Sequence, residues 1–330
     1  MGNYKTEHGF QIKHRSSDPS NPIEGEIWYN TVSQTLKVTP LIGAMSSGGN
    51  YPISVYSLAG AGTQTAALGT GGLSPGTNPT NTAAAYDGSS WTAITNSPAS
   101  KGSMFGSGTQ TAAIFALGSP YPFAESYTWN GSAWADGPDV NTERTGCQGG
   151  GTTTAAVIYG GEAPSPSGFP GAKTEEFDGS SWSHVEDTPA ATSMHGACGT
   201  QTAGFVCGGQ PNPSIAERSM FYDGTNYSSG PNLPDGYQVG DGMWGTQTAS
   251  MAARLYNYGP PNTETNHILE YDGTSWSKLS TTCAQSIAAA ACGKFGTSTA
   301  GVVFGGQPPH SNATEEWTRS TTVRTVDSST

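Results

Sequence analysis

Six histidines, five cysteines and 25 carboxylates are the side chains of this 330-residue chain with the most chemistry to offer, and their spacing limits what that chemistry is. A copper oxidase site needs converging His and Tyr ligands with a Tyr–Cys partner. His8, His14, His184, His195, His267 and His310 are scattered over the termini and over different parts of the chain, no two at a ligand spacing. Only His195, in an expected innermost strand beside Met194, is placed to face a central channel, where a hydrogen-bonded or channel-lining imidazole is the plainer reading. Cys147, Cys198, Cys207, Cys283 and Cys292 are odd in number, with no CxxC pair and no zinc spacing. They read as buried reduced thiols. Cys198 and Cys207 flank one expected hairpin but need not face each other.

Glycoside hydrolysis needs two carboxylates about 5 to 10 Å apart in a cleft. Glu175-Glu176, Glu270 and Glu315-Glu316 recur at equivalent places, and strand alternation sends adjacent residues to opposite faces. Such repetition points to structure. Asp241 is one more candidate channel carboxylate. No pair is recognisable, so no catalytic residue, metal or cofactor is expected.

The elements that would position these residues come from an internal repeat, which has to be sought first. GTQTAA, GTQTAA, GTTTAA, GTQTAG, GTQTAS and GTSTAG begin at Gly62, Gly108, Gly151, Gly199, Gly245 and Gly296. A short apolar run follows each, and four runs end in a double glycine: Gly71-Gly72, Gly160-Gly161, Gly208-Gly209 and Gly305-Gly306. Runs this short, bounded by Gly and holding Val, Ile and Phe, are buried strands. Next comes an aromatic hairpin turn on Asp87-Gly88, Asn130-Gly131, Asp178-Gly179, Asp223-Gly224 and Asp272-Gly273, where glycine supplies the positive φ of a tight turn. In the sixth repeat this decays to Trp317-Thr318-Arg319-Ser320.

Each repeat thus supplies four strands, the unit of one propeller blade, and the chain is expected to be an all-β, six-bladed, kelch-like propeller over 46–330 with a β-hairpin segment over 1–45. The hairpin is read over Glu26–Asn30 and Thr35–Val38, outside the six blades or adding a partial one, and removing 1–45 should leave a folded propeller. Alternating strand direction puts the GTQT and Asp-Gly turns on one face and the connecting loops on the other. The turn face is monotonous. The loops, 73–83, 119–126, 162–173, 210–219, 259–267 and 307–314, share little beyond Pro and Asn, and variable loops on a rigid scaffold are where recognition resides. Tyr121, Phe123 and Phe169 are the candidate binding-loop residues, aromatics suited to sugar rings or a protein pocket, with folding back onto their own loops as the alternative. Ile27, Trp28 and Tyr29 are the candidate anchor.

Composition agrees with this organisation and excludes others. The 46 glycines and 22 prolines alone would suggest low complexity, but 8 Trp, 14 Tyr and 10 Phe argue for a turn-rich β protein. A formal net charge of −12 repels phosphate backbones and anionic membranes, so no nucleic-acid partner is expected. No stretch approaches the roughly 18 apolar residues of a membrane span, and Met1 to Phe10 lacks the organisation of a secretory signal.

The double-glycine strand, the aromatic-Asp-Gly turn and the Trp that follows resemble the kelch repeat, and the wording GTQTAA with YDGSSW is similar to kelch-like proteins of tailed marine phages, cyanophages in particular. Asn141-Thr142-Glu143-Arg144 is nearest the Asn-Thr-x-Arg start of those repeats; the other repeats lack the arginine. Residues 18–31 with 36–38 resemble a β element found near the N-termini of phage tail and fibre proteins. The resemblance implies a non-catalytic virion structural protein, tail- or fibre-associated and made in the host cytoplasm. Its implied partners are other virion proteins through the N-terminal segment and a host surface glycan or protein through the loops, with a homo-oligomer in the particle left open. A capsid decoration or connector subunit is the alternative, and a carbohydrate-active or copper-dependent propeller enzyme ranks below both.

Overall fold

Small residues decide where the inner strands run. Segments such as AGAGT, FGSGT, QGGGT and GACGT each open with three buried residues, and only small side chains fit where several strands converge on one axis. A Cβ on Gly150 would overlap the Gly199 carbonyl of the neighbouring inner strand. The second strands carry the bulk instead, as in AAVIY and AGVVF, with four buried residues each.

In the computed structural model, residues 12–21, 23–120, 123–162, 171–210, 216–258, 263–286, 295–321 and 323–326 are described. They are strand, turn and loop, apart from the single helical residue Ala216. The chain divides into two compact units, Met45–Trp317 and Met1–Ala44 with Thr318–Thr330.

The larger unit is built on six four-stranded sheets, running from inner to outer strand. Blade 1 is Ala59–Thr63, Ala66–Thr70, Ala83–Tyr86 and Trp91–Ala93; blade 2 is Phe105–Thr109, Ala112–Ala116, Ser126–Trp129 and Trp134–Asp136. Blade 3 is Gln148–Thr152, Ala155–Tyr159, Thr174–Phe177 and Trp182–His184; blade 4 is Gly196–Thr200, Ala203–Cys207, Ser219–Tyr222 and Tyr227–Ser229. Blade 5 is Met243–Thr246, Ala249–Ala253, Ile268–Tyr271 and Trp276–Lys278, and blade 6 begins with Phe295–Thr297, Ala300–Phe304 and Thr314–Thr321. Each inner strand neighbours the next, and that of blade 6 neighbours that of blade 1. The ring of six is closed.

Blade 6 departs from expectation in its fourth strand. That strand is Leu41–Gly48, supplied from ahead of blade 1, because the long third strand Thr314–Thr321 has no Asp-Gly turn to bring the chain back. The division into compact units at Ala44/Met45 lies beside the expected boundary and falls inside Leu41–Gly48, so a truncation meant to spare that strand must stop before Leu41.

In the smaller unit the expected hairpin forms over Ile27–Asn30 and Thr35–Val38. It is not alone. Lys13–Arg15 adds in parallel on one side and Arg324–Thr325 antiparallel on the other, giving the four strands that a marginal hairpin needs for stability. Trp28 is its buried centre, with Nε1 donating to Asp18 Oδ1 at 3.3 Å while Asn30 Nδ2 donates to the same oxygen at 3.0 Å.

Candidate interaction surfaces

The turn face owes its monotony to bonds between blades. Gln110, in the blade 2 turn, reaches back to blade 1, where its Nε2 donates to the carbonyls of Ala67 at 3.0 Å and Tyr86 at 2.7 Å. Gln201 bonds blade 3 in the same way through Ala156 and Phe177, and Gln247 bonds blade 4 through Gly204 and Tyr222. Gln64 donates to the Trp317 carbonyl of blade 6 at 3.1 Å. The glutamine of GTQT is therefore a clamp on the preceding blade.

The outer turns are held locally. Gly88, Gly131, Gly179, Gly224 and Gly273 all have φ between 91° and 95°. The preceding side chain accepts two amides: Asp87 Oδ1 takes Ser89 and Ser90 N–H at 2.8 and 2.7 Å, and Asp178, Asp223, Asp272 and Asn130 repeat the arrangement. Amides aimed at the ionised carboxylate lower its pKa, to about 2 for Asp87 and Asp178. For Asp178 the Ser180 hydroxyl is the largest contributor.

On the loop face the double glycines do the joining. The second glycine of each pair donates to a carbonyl in the entry to the next blade: Gly72 to Lys101, Gly161 to Thr192, Gly209 to Tyr237 and Gly306 to Val55, at 2.8 to 2.9 Å. His195 packs in this layer. It is fully buried, with its ring against Gly160 and its Cβ against Gly209, so it does not line an open channel.

The recurring carboxylates also belong to the scaffold. Glu175 Oε1 accepts from Arg144 Nη2 at 3.2 Å and from the Thr142 amide, and its Oε2 accepts from Asn141 N and Nδ2. Glu315 is held alike by Arg254, whose Nε and Nη2 donate at 3.1 and 2.8 Å, and by the Ala284 amide. Both pairs are buried. The neighbouring Glu176 and Glu316 accept from Tyr222 and Tyr86 of the following blades, and burial pushes both phenols well above their usual range. Sequence placed the two members of each Glu-Glu pair on opposite faces; one face meets the incoming arginine and the other the next blade.

The axis holds a cavity of about 190 Å³ lined by the inner strands of all six blades, among them Gly62, Gly108, Gly151, Gly199, Gly245 and Gly296. Asp241 is buried and accepts from Gln148 Nε2 of blade 3, a bond that skips blade 4. The four described cysteines, Cys147, Cys198, Cys207 and Cys283, are buried. Burial pushes the Cys147 thiol up to about 12, and Cys207 Sγ lies 3.4 Å from Met243 Sδ with Cys198 paired across from Phe205. Cys292 and His8 fall outside the described residues. His14 packs on Tyr29, His184 on Asp187, His267 on Tyr237 and His310 on Tyr56, so the remaining histidines stay apart.

Of the candidate loop aromatics, Tyr121 and Phe169 lie outside the described residues. Phe123 folds back onto its own blade: the buried Lys101 Nζ sits 4.1 Å from its ring centroid and 2.6 Å from Glu125 Oε2. A half-buried ring capped by an ammonium has little face left to offer, which fits the alternative that this aromatic folds back. In the anchor triplet, Ile27 and Tyr29 share one face of the small sheet with His14, Leu36, Val38 and Arg324, whereas Trp28 faces the other way into the core and is corrected from anchor to core. Ile12 and Val326 extend the open face by alternation. Among the described residues the exposed large hydrophobics are Ile12, Ile23, Ile27, Val32 and Val326, every one in the smaller unit.

No protein-family model and no curated protein matches the chain. Among solved structures the fold is similar to that of YjhT, with a TM-score of 0.65 and 14% identity over 83% of this chain and 99% of that one. The fold is a kelch-like β-propeller. At that identity the likeness speaks for fold alone.

Proposed function

We propose that this chain is a non-catalytic virion protein of a tailed phage, tail- or fibre-associated, in which the propeller is an interaction module and the smaller unit is the attachment. The observation that carries the reading is the distribution of apolar exposure. Every exposed large hydrophobic among the described residues falls in the smaller unit, and three of them extend one sheet face. An apolar face left open to water marks a surface meant for another protein. The resemblance of residues 18–38 to phage tail and fibre segments, and of the repeats to phage kelch-like proteins, names the setting. The loops of the propeller supply the second contact, a host surface glycan or protein.

The carboxylates an enzyme would need are engaged in holding blades together, which supports the non-catalytic side of the reading. The test removes residues 1–40, sparing the closing strand, and separately replaces Ile12, Ile27 and Val326 with Ser. Both proteins should fold as propellers by circular dichroism and fail to enter assembled particles. Normal incorporation of either would sink the attachment role. Immunogold label on the head instead of the tail would make the chain a decoration subunit.

A further inference from the structure

Two grooves with a common cause open beside blades 2 and 4. In each blade a glycine follows the outer strand, Gly137 or Gly230, and its amide donates to the carbonyl of the serine that starts the third strand, Ser126 or Ser219, at 2.9 Å. The serine hydroxyl fills the place a Cβ would need and donates to the next proline carbonyl, Pro138 at 2.7 Å or Pro231 at 2.6 Å. The chain thus leaves the sheet in the same way twice. Each departure leaves a cavity, about 340 Å³ on blade 2 and about 260 Å³ on blade 4.

The scaffold is shared and the lining is opposite. Blade 2 presents Glu125, Asp136 and Asp139. At the matching positions blade 4 presents Arg218, Ser229 and Asn232, with Tyr227, Met220 and Pro189 as walls. Arg144 and Arg254 of the propeller are committed, to Glu175 and Glu315. The exposed guanidinium of Arg218 has no carboxylate partner among the described residues. In a chain of net charge −12, an arginine with no carboxylate partner beside an aromatic ring and the polar side chains of Ser229 and Asn232 is a site with a definite preference.

We propose that the blade 4 groove binds an acidic sugar, a uronic- or sialic-acid residue of a surface glycan. Arg218 takes the carboxylate by its two-pronged guanidinium, Tyr227 and Met220 offer apolar surface to the sugar ring, and Ser229 and Asn232 meet its hydroxyls. The blade 2 groove, built on the same departure and lined by Asp136 and Asp139 with Glu125 paired to Lys101, repels the same ligand. This inference rests on the reading of the propeller as an interaction module and names what one of its surfaces takes.

The test is saturation-transfer NMR and titration of the full chain with D-galacturonate, D-glucuronate, N-acetylneuraminate and, as the neutral control, D-galactose. At least one acid should bind while galactose does not. Arg218→Ala should weaken that binding about tenfold or more, as expected for a lost charge-assisted contact, with the melting temperature unchanged. Asp139→Ala in the blade 2 groove should leave it as it was. Absence of binding by all three acids, equal binding of galactose, or an Arg218→Ala variant that binds as well as the parent each overturns the site. Particle adsorption to host cells separates this from the wider reading. Particles lacking the chain that adsorb normally overturn the interaction module, whereas failure of the sugars with adsorption still dependent on the chain overturns the groove alone.

Discussion

The blades are joined by two kinds of seam. Four seams carry the glutamine clamp, from Gln64, Gln110, Gln201 and Gln247. The seams entering blades 3 and 6 have Thr153 and Ser298 in its place. Those two blades, half a ring apart, are the ones that bury an Arg–Glu pair, Arg144 with Glu175 and Arg254 with Glu315. The arginines come from different places, one from the connection ahead of blade 3 and the other from the end of the second strand in blade 5. A fixed gap between blades therefore accepts either a neutral amide on the turn face or an ion pair on the loop face. The residue before the repeat's glycine also bonds across both unclamped seams, Ser107 Oγ to Gly151 O at 2.8 Å and Trp244 Nε1 to Thr297 O at 3.0 Å, as Cys198 Sγ does to Thr246 O across a clamped one.

The contrast breaks most sharply at the ion pair. Arg254→Met strands a buried carboxylate and should cost about 3–5 kcal/mol in urea unfolding, whereas Arg254→Met with Glu315→Leu should recover much of it. A single variant that loses less than about 1 kcal/mol would mean that the seam does not depend on the pair. Gln110→Ala leaves two carbonyls of blade 1 without their amide donor and should cost about 1–2 kcal/mol. The reverse graft, Thr153→Gln, should raise the melting temperature of the 2/3 seam's protein slightly; no gain would show that clamp geometry does not transfer to a seam built on an ion pair.

The smallest effect is in acid. Asp87, Asp178, Asp223 and Asp272 have pKa values lowered from 3.8 by the amides and hydroxyls they accept. A depressed folded-state pKa gives stability that is complete above the unfolded value and is lost as pH falls through the folded one. The turns should therefore loosen between about pH 4 and pH 2. Changing all four to Asn, the residue already working at position 130, should flatten that limb in melting curves taken from pH 5 to pH 2 while the turns themselves persist. An unchanged acid limb would assign it to other carboxylates.

The blades were legible because each repeat carries its own punctuation: Gly62 and its equivalents close the inner hairpin, and Asp87-Gly88 and its equivalents close the outer one. Local chemistry writes itself into local sequence. The glutamine clamp was in plain view as GTQT, yet its partners are carbonyls, which any residue provides, so the spelling could not say where Gln110 points. LIGAMSSG, Leu41–Gly48, gives no sign of its destination because its pairing partner is at the far end of the chain. Alternation separated Trp28 from Ile27 and Tyr29, but which face is covered depends on Asp18, ten residues earlier. Phe123 turned inward because Lys101, from the preceding connection, arrives beneath it. The Arg218 groove was hidden for a related reason: Gly137 and Gly230 look like ordinary turn glycines until the serines beneath them are seen.

The closing strand makes the order of synthesis matter. Leu41–Gly48 leaves the ribosome before any blade exists, and its partner Thr314–Thr321 follows about 270 residues later. Joining ends that far apart costs only about 3 kcal/mol more than an ordinary short connection, so the delay is one of time more than of free energy. Until then blade 6 has an open edge, able to accept a strand from another molecule. A circular permutant that begins at Gly49 and joins the old termini by a flexible linker would make that strand the last one synthesised, with only residues 322–330, the linker and residues 1–40 between it and the edge it covers. Faster ring closure and less strand exchange between chains at high concentration are the expected result.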